Sequence, residues 1–261
     1  MLTNTFFNYL VIILFGLIIG SFLNVIILRF DELKTLVKGR SHCPKCKTIL
    51  KWYDLVPFVS FVLLFGKCRY CKNPISFQYP LVELGTALIF SLIYWKFGIS
   101  LNSLFMILAS CVLIVAFVYD ILNLMLADWL VYLGILVWII WLVLKYFFVS
   151  HFSFLDPLYG GLALGGFIAL LVLVSRERWM GAGDIGLGFL VGLISGWPNV
   201  LVNFLASFVL GALFGIVAIV LKQKKLQSQV AFAPFLILGM WIAVFWGKDI
   251  IWWYIKVLSG S

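Results

Sequence analysis

The feature that most constrains this chain is a series of long apolar runs separated by few polar residues. Hydrophobic residues make up 64% of the 261 residues, and charged residues make up only 11%. A water-soluble globule cannot hide so large an apolar fraction in its core, whereas a helix of about 20 apolar residues crosses a bilayer. The sequence therefore predicts an all-α polytopic membrane protein.

The apolar runs predict about eight transmembrane helices. They lie near residues 7–28, 79–97, 101–119, 129–149, 157–175, 185–197, 199–221 and 233–255. The sixth is short, and Gly196-Trp197-Pro198-Asn199 is a turn signal that separates it from the seventh. The segment from Leu10 to Leu28 is followed by no small-residue cleavage site, so we interpret it as a retained helix.

The distribution of basic residues predicts how the chain is oriented. With the N-terminus outside, the segments on the inner side hold 15 of the 19 Lys and Arg residues. The positive-inside rule favours this orientation, in which the basic loop at residues 29–78 is cytoplasmic. Topology thus accounts for the net charge of +9, and we expect no nucleic-acid partner.

Two aspartates are the strongest candidates for chemistry. The sequence Met180-Gly181-Ala182-Gly183-Asp184 follows Asp120 by 64 positions, and on the predicted topology both aspartates lie at the cytoplasmic ends of helices. An ionised carboxylate within a transmembrane helix costs about 2.5 to 3.5 kcal/mol, so such residues usually face a wet cavity and have a function. Gly181 and Gly183 leave the backbone open to a peptide or a helix. The plain alternative is a solvated loop aspartate between glycine turns.

Four cysteines predict a metal site between the first two helices. Cys43-Pro44-Lys45-Cys46 and Cys68-Arg69-Tyr70-Cys71 are separated by 21 residues. Two such knuckles are typical of a structural Zn²⁺ site in which four thiolates complete the coordination sphere. Disulfide or redox pairs, which a reducing cytoplasm disfavours, and unliganded thiols are the alternatives. We interpret His42 as a loop residue that could replace a ligand, and Cys111 as filler in an apolar helix.

The loop between these knuckles predicts contact with lipid. Leu55 to Phe65 is apolar but too short to span, so we expect it at the membrane surface. Basic residues in the loop would lie over the anionic leaflet, where each contributes about 1 kcal/mol. They are Lys34, Lys38, Arg40, Lys45, Lys47 and Lys51.

Glycines spaced four apart predict close packing among the fifth, sixth and seventh helices. The pairs are Gly161 with Gly165, Gly188 with Gly192, and Gly211 with Gly215. We interpret them as packing residues with no direct part in chemistry.

Taken in order, these motifs resemble those of the type IV prepilin peptidases, membrane aspartic proteases of the GxGD class. The resemblance covers most of the chain. Its matches are Gly20-Ser21-Phe22-Leu23-Asn24-Val25 with Arg29, both cysteine knuckles, Gln78-Tyr79-Pro80-Leu81-Val82-Glu83-Leu84, Asp120, the motif ending in Asp184, and Ala233-Pro234-Phe235-Leu236.

The resemblance implies a specific activity and location. Members cleave the short basic leader of prepilins or pseudopilins, which have a hydrophobic N-terminal helix, after a glycine at the cytoplasmic face of the bacterial inner membrane. Asp120 and Asp184 would be catalytic. Many members also N-methylate the new terminus with S-adenosylmethionine, a function of their N-terminal half. We accordingly divide the chain into a first helix at residues 1–28, a four-cysteine zinc loop at 29–78 and a peptidase helix bundle at 79–261.

The chain departs from the family pattern at three places. Gly186 stands where a lysine usually follows the motif aspartate, which bears on how the ionisation of Asp184 is tuned. Leu126-Ala127-Asp128 replaces Ile-Pro-Asp, and Ala231-Phe232-Ala233-Pro234 replaces Pro-Phe-Gly-Pro. These last two changes bear on local loop geometry.

Two carboxylates at one site share a proton, because both cannot ionise cheaply. The ionised member would activate water, and the protonated member would hydrogen-bond the scissile carbonyl. The nearest rival is Asp128, which we interpret as a helix N-cap before Trp129. Glu83, inside the second span, is either a buried structural carboxyl or a residue with a substrate or methyltransfer role.

Two other functions fit the same composition. A proton- or metal-coupled transporter would use Asp120, Asp184 and Glu83 as a relay, and it predicts carboxylates spread across the membrane and an inverted internal repeat. The sequence has neither feature. An inactive scaffold that binds pilin-like helices would differ only in lacking the chemistry, so an activity assay is needed to separate it from an enzyme.

Overall fold

A computed structural model of the chain describes residues 2–30, 41–148, 153–221 and 231–259. Within those ranges the chain forms nine α-helices and no β-strand, which confirms the predicted all-α class. The helices are α1 (Leu2–Leu28), α2 (Val59–Leu63), α3 (Gln78–Phe97), α4 (Leu101–Asn123), α5 (Asp128–Phe148), α6 (Leu155–Ser175), α7 (Gly183–Ser195), α8 (Val200–Val220) and α9 (Ala233–Ser259).

All eight predicted spans correspond to helices, and seven helices in the described ranges are long and apolar enough to cross a membrane. The chain is therefore a multi-pass membrane protein. The exception is α7, the predicted short sixth span, which has 13 residues. At 1.5 Å per residue it is about 20 Å long, less than the hydrocarbon core of about 30 Å.

One helix boundary near the candidate site differs from the prediction. The third span was expected to end at residue 119, but α4 continues to Asn123, so Asp120 lies in its last turn. Leu124 ends the helix because its backbone is left-handed, with φ of 53°. Its N–H still donates to the Asp120 carbonyl at 2.8 Å.

The chain divides into two compact units, Met1–Val115 and Ala116–Ser261. In the first unit α1 packs along α3. A methyl group added to Gly16 would lie 2.5 Å from Ala87 Cα, and one added to Gly20 would lie 2.7 Å from Glu83 Cα. Glycine is therefore required at both positions for the two backbones to approach this closely. Sequence reasoning missed this pair, although its four-residue spacing was the available signal.

In the second unit α7 packs against α5, α6 and α9. Gly161 and Gly165 of α6 face Leu193 and Phe189 of α7, and Gly192 of α7 meets the backbone of Gly160. Two of the three predicted glycine pairs are thus confirmed as packing sites. The third prediction is wrong for Gly215 of α8, because a methyl group there would meet no atom of the described residues within 4 Å.

Buried polar side chains fix the position of α7 further. Asn203 of α8 is fully buried, and its Nδ2 donates to Ser195 Oγ of α7 at 3.0 Å. On another side of the helix, Trp138 Nε1 of α5 donates to the Leu193 carbonyl at 3.2 Å. Because a buried polar group is costly without a partner, these bonds specify the register of α7 against its neighbours. They also hold the helix that carries Asp184.

Candidate functional site

Asp184 lies in the first turn of α7, directly after the glycine motif. The Gly181 N–H donates to Asp184 Oδ2 at 3.2 Å, and the Asp184 N–H donates to the Gly181 carbonyl at 3.1 Å. The first turn of a helix has unpaired N–H groups and a positive dipole end, so it is a favourable place for a carboxylate.

Asp120 lies in the last turn of α4 and is 5% exposed. Its carboxylate accepts a hydrogen bond from the backbone N–H of Ala233, the first residue of α9. Pro234 follows, where its missing N–H costs nothing because the first helical turn has no acceptor for it. Asp120 Oδ2 is buried and has no hydrogen-bond partner among the described residues.

The structure brings these two aspartates together, since the charge of Asp120 acts on Asp184. Each carboxylate also lies at a helix N-terminus, Asp184 in its own helix and Asp120 beside α9. The open Asp120 oxygen is an acceptor for a water molecule or for a proton shared by the pair. This arrangement has the parts required for general acid and base chemistry.

The two motif glycines have different surroundings. A methyl group at Gly181 would meet no atom of the described residues within 4 Å, so the backbone before Asp184 is accessible. A methyl group at Gly183 would lie 3.3 Å from Leu126 Cβ and 3.5 Å from Asp128 Oδ1. Asp128 is exposed and is itself the first residue of α5, so a third carboxylate lies next to the motif.

Gly186, which replaces the usual lysine of the resembling family, faces α5. A methyl group there would lie 3.2 Å from Val131 Cγ1. The position therefore packs against a helix, and glycine lets the two helices approach.

The four knuckle cysteines form one cluster, and their Sγ atoms all lie within 4.8 Å of one another. Cys43 Sγ and Cys71 Sγ are 3.8 Å apart. Tetrahedral zinc with Zn–S bonds of about 2.3 Å separates its sulfur ligands by about 3.8 Å, so the spacing fits the metal. His42 is exposed, Cys111 is half-buried in α4, and neither belongs to the cluster.

The two knuckles repeat one backbone arrangement, 25 residues apart. The Lys47 N–H donates to the Cys43 carbonyl, and the Lys72 N–H donates to the Cys68 carbonyl, both at 2.9 Å. Lys47 and Lys72 are both left-handed, with φ of 57° and 60°. The repeat lets each knuckle present two sulfur atoms to one point.

Thr48 stabilises the thiolate form of Cys46. The Thr48 hydroxyl and backbone N–H lower the pKa of Cys46 to about 6. In the second knuckle, Asn73 Nδ2 donates to Cys71 Sγ at 3.5 Å. Metal ligation requires thiolates, so these donors suit a zinc site.

Asp54 braces the second knuckle and was missed by sequence reasoning. Its nearly buried carboxylate accepts hydrogen bonds from Arg69 Nε at 2.7 Å, the Tyr70 hydroxyl at 3.0 Å and the Lys51 N–H at 3.2 Å. Burial opposes ionisation, but these bonds outweigh it and hold the pKa of Asp54 below its usual value. Burial and Asp54 together raise the pKa of Tyr70 to about 12. The available signal was that Asp54 is the only acidic residue within 41–78.

Glu83 lies in α3 and is 6% exposed. It accepts hydrogen bonds from the Phe58 N–H at 2.7 Å and from the Ser21 hydroxyl. Phe58, directly before α2, has a φ of 56°, which is unfavourable for a bulky residue.

Of the lipid-facing basic residues predicted in the cysteine loop, Lys45, Lys47 and Lys51 belong to the described part of the chain, and all three are exposed. Lys34, Lys38 and Arg40 lie outside the described residues.

Comparison with known proteins gives consistent matches over nearly the full length. Residues 14–97 match the bacterial peptidase A24 N-terminal domain, and residues 107–216 match the type IV leader peptidase family. The chain is 34% identical to a prepilin leader peptidase/N-methyltransferase of Legionella pneumophila, covering 95% of each chain. It is 32% identical to the protein of that name in Bacillus subtilis, covering 96% of this chain and 99% of the other. The Pseudomonas aeruginosa relative is 30% identical, covering 94% and 92%. No solved structure matches the chain.

Proposed function

Since the chain belongs to the type IV leader peptidase family, we propose that it removes the leader of prepilins or pseudopilins with Asp120 and Asp184 as the catalytic pair. The observation that carries this proposal is the open Oδ2 of Asp120 beside a second carboxylate with which it interacts. A buried carboxylate oxygen without a partner is costly in a structural role and suited to binding a reacting water.

The proposed chemistry follows from the pair sharing one proton. The ionised aspartate removes a proton from water as the water oxygen attacks the scissile carbonyl, while the protonated aspartate donates a hydrogen bond to the carbonyl oxygen. The amine then leaves with a proton from the pair. The accessible backbone at Gly181 leaves room for an extended substrate next to Asp184.

We further propose that this site faces the cytoplasm and that the N-terminus lies outside. The support is the excess of basic residues in the segments assigned to the inner side, including Arg176 and Arg178 just before the motif. The substrates would then bring a basic leader to the cytoplasmic face and a hydrophobic helix into the bilayer.

The four-cysteine loop at residues 29–78 is proposed to hold one structural zinc ion through Cys43, Cys46, Cys68 and Cys71. Such an ion would link two knuckles that are far apart in the sequence, and Asp54 would brace one of them. The loop's exposed apolar residues, among them Leu63 and Phe65, suit contact with lipid.

The relatives' names include N-methyltransferase, so we propose that the chain also methylates the new N-terminus with S-adenosylmethionine.

One experiment tests both leader cleavage and methylation. A prepilin is co-expressed with the wild-type chain, Asp120→Asn or Asp184→Asn, and its intact mass is measured. We expect wild type to remove the leader and add one methyl group, and both variants to leave the leader in place. An intact leader with wild type would refute the peptidase proposal.

A further inference from the structure

In the first unit, two hydrogen bonds donated by side chains of α1 connect α1 with α3. The Ser21 hydroxyl donates to Glu83, and Asn24 Nδ2 donates to the Tyr79 carbonyl at 3.1 Å. Ser21 and Asn24 are three residues apart in α1, and Tyr79 and Glu83 are four apart in α3, so each pair shares one helix face. Asn24 and Glu83 therefore lie about one helical turn apart, or roughly 5 Å, along the line of contact between α1 and α3, which we call the seam.

Glu83 and Asn24 both present hydrogen-bond acceptors, and no cation among the described residues contacts either of them. The two donors to Glu83 are uncharged, and its interactions within the described residues include no cation. Asn24 is 1% exposed, and its buried Oδ1 has no hydrogen-bond partner in the described part of the chain. Buried acceptors are normally bonded, and carboxylates within membrane spans normally have a partner. The seam is therefore suited to a positively charged ligand.

We propose that Glu83 and Asn24 form the cation subsite of the methyltransferase reaction, an inference that rests on the proposed N-methylation. Two cations take part in that reaction, the sulfonium of S-adenosylmethionine and the terminal ammonium of the acceptor. The ammonium first releases a proton to water so that its nitrogen can attack; the N–C bond then forms as the S–C bond breaks, which leaves a neutral thioether. A carboxylate and an amide oxygen would offset the cost of removing either cation from water.

A purely structural role for Glu83 is the alternative to be tested. In that case its carboxylate only anchors the Phe58 N–H and thereby the unusual backbone before α2. Glu83→Gln separates the two roles, because the amide oxygen can still accept from the Phe58 N–H and the amide can still hydrogen-bond the Ser21 hydroxyl, while the negative charge is lost.

The test uses the full-length chain in lipid nanodiscs and two nucleosides that differ in charge at sulfur. S-adenosylmethionine is a sulfonium, and S-adenosylhomocysteine is a neutral thioether with the same amino-acid group. If the subsite holds the sulfonium, Glu83→Gln weakens binding of the first about tenfold and leaves the second unchanged. If it holds the ammonium, both affinities are retained and the KM of a leader-free pilin peptide rises about tenfold. Glu83→Asp, which keeps the charge, should recover part of either loss.

Ser21→Ala is the matched structural control, since it removes a donor to Glu83 without changing charge. Unchanged affinities and KM in Glu83→Gln would overturn the inference, as would equal losses for both nucleosides that Ser21→Ala reproduces. Leader cleavage by a variant shows that the variant is folded. A wild-type chain that cleaves but neither binds S-adenosylmethionine nor methylates would refute the methyltransferase function itself. A methylating wild type with an unaffected Glu83→Gln variant would refute only the subsite.

Discussion

Asp120 and Asp184 interact electrostatically, although 64 residues separate them in the sequence. One lies in the last turn of α4 and the other in the first turn of α7. Their surroundings differ, because Asp120 accepts from the Ala233 N–H at the start of α9 and has one buried oxygen without a partner among the described residues, whereas Asp184 accepts from the Gly181 N–H of its own motif. A pair with one acid and one base requires such a difference in surroundings.

We predict that Asp120→Asn and Asp184→Asn each reduce leader cleavage by about 10² to 10⁴-fold, because an amide cannot replace a carboxylate as acid or base. The double variant should be no worse than either single variant, since groups that act as one unit do not lose activity additively. The measurement is the rate of leader removal from a purified prepilin, with thermal unfolding to verify the fold.

Asp128→Asn is the control for these two variants. Asp128 begins α5 and lies next to Gly183, so it is a nearby carboxylate that is not one of the two proposed catalytic aspartates. We expect a modest effect, since asparagine stabilises a helix start about as well as aspartate. Loss of cleavage in Asp128→Asn together with normal cleavage in Asp184→Asn would require the pair to be reassigned.

The spans and the cysteine cluster could be predicted because each depends on a local pattern. Apolar run length is enough to identify a membrane helix, and two CxxC knuckles carry their own geometry. The end of α4 could not be predicted, because it depends on the backbone of Leu124 and the apolar run gives no signal for it.

Contacts between distant segments were harder to predict. The bond from Arg69 to Asp54 joins residues 15 positions apart in a loop, and no periodicity indicates it. Gly215 has the same four-residue spacing as the packing glycines, yet it faces no neighbour among the described residues. Spacing identifies a face of a helix but not whether another helix covers that face.

Purified protein should contain about one zinc ion per chain, and Cys68→Ser should lower that content because a four-thiolate site tolerates loss of a ligand poorly. Cys111→Ser is the matched control, since Cys111 lies outside the cluster and should leave the zinc content unchanged. Elemental analysis of reduced, unchelated protein provides the measurement. Absence of zinc from the wild type would contradict the site, and leader cleavage should persist in Cys68→Ser.

Asp54→Asn should speed zinc release to a chelator several-fold, because the second knuckle loses its charged brace at Arg69. Since the pKa of Asp54 is lowered in the folded loop, the brace is present at neutral pH and is lost only as pH falls through that lowered value. Stopped-flow chelation measures the rate. Lys72→Gln, an exposed change on the same knuckle, serves as control, and equal rates in both variants would exclude a bracing role.

The proposed orientation predicts which loops an impermeant thiol reagent reaches in intact cells. In a Cys111→Ser background, Ser153→Cys should be labelled from outside, whereas Arg178→Cys should be labelled only after the inner face is opened. Both positions are exposed, so accessibility depends on the side of the membrane. Peptide mass spectrometry identifies the labelled site. The opposite pattern would put Asp184 on the outer side and rule out cytoplasmic cleavage.

Close packing of α6 on α7 should make Gly192 intolerant of even a methyl group. The added carbon would collide with the Gly160 backbone, which cannot move aside as a side chain can. We expect Gly192→Ala to cost about 1 to 3 kcal/mol and to reduce cleavage, because a shift of α7 moves Asp184. Gly215→Ala, at a position of α8 where an added methyl group would meet no described residue within 4 Å, should leave stability and cleavage near the wild-type values. Thermal unfolding in detergent compares the two, and equal midpoints would show that the α6–α7 contact does not hold the site.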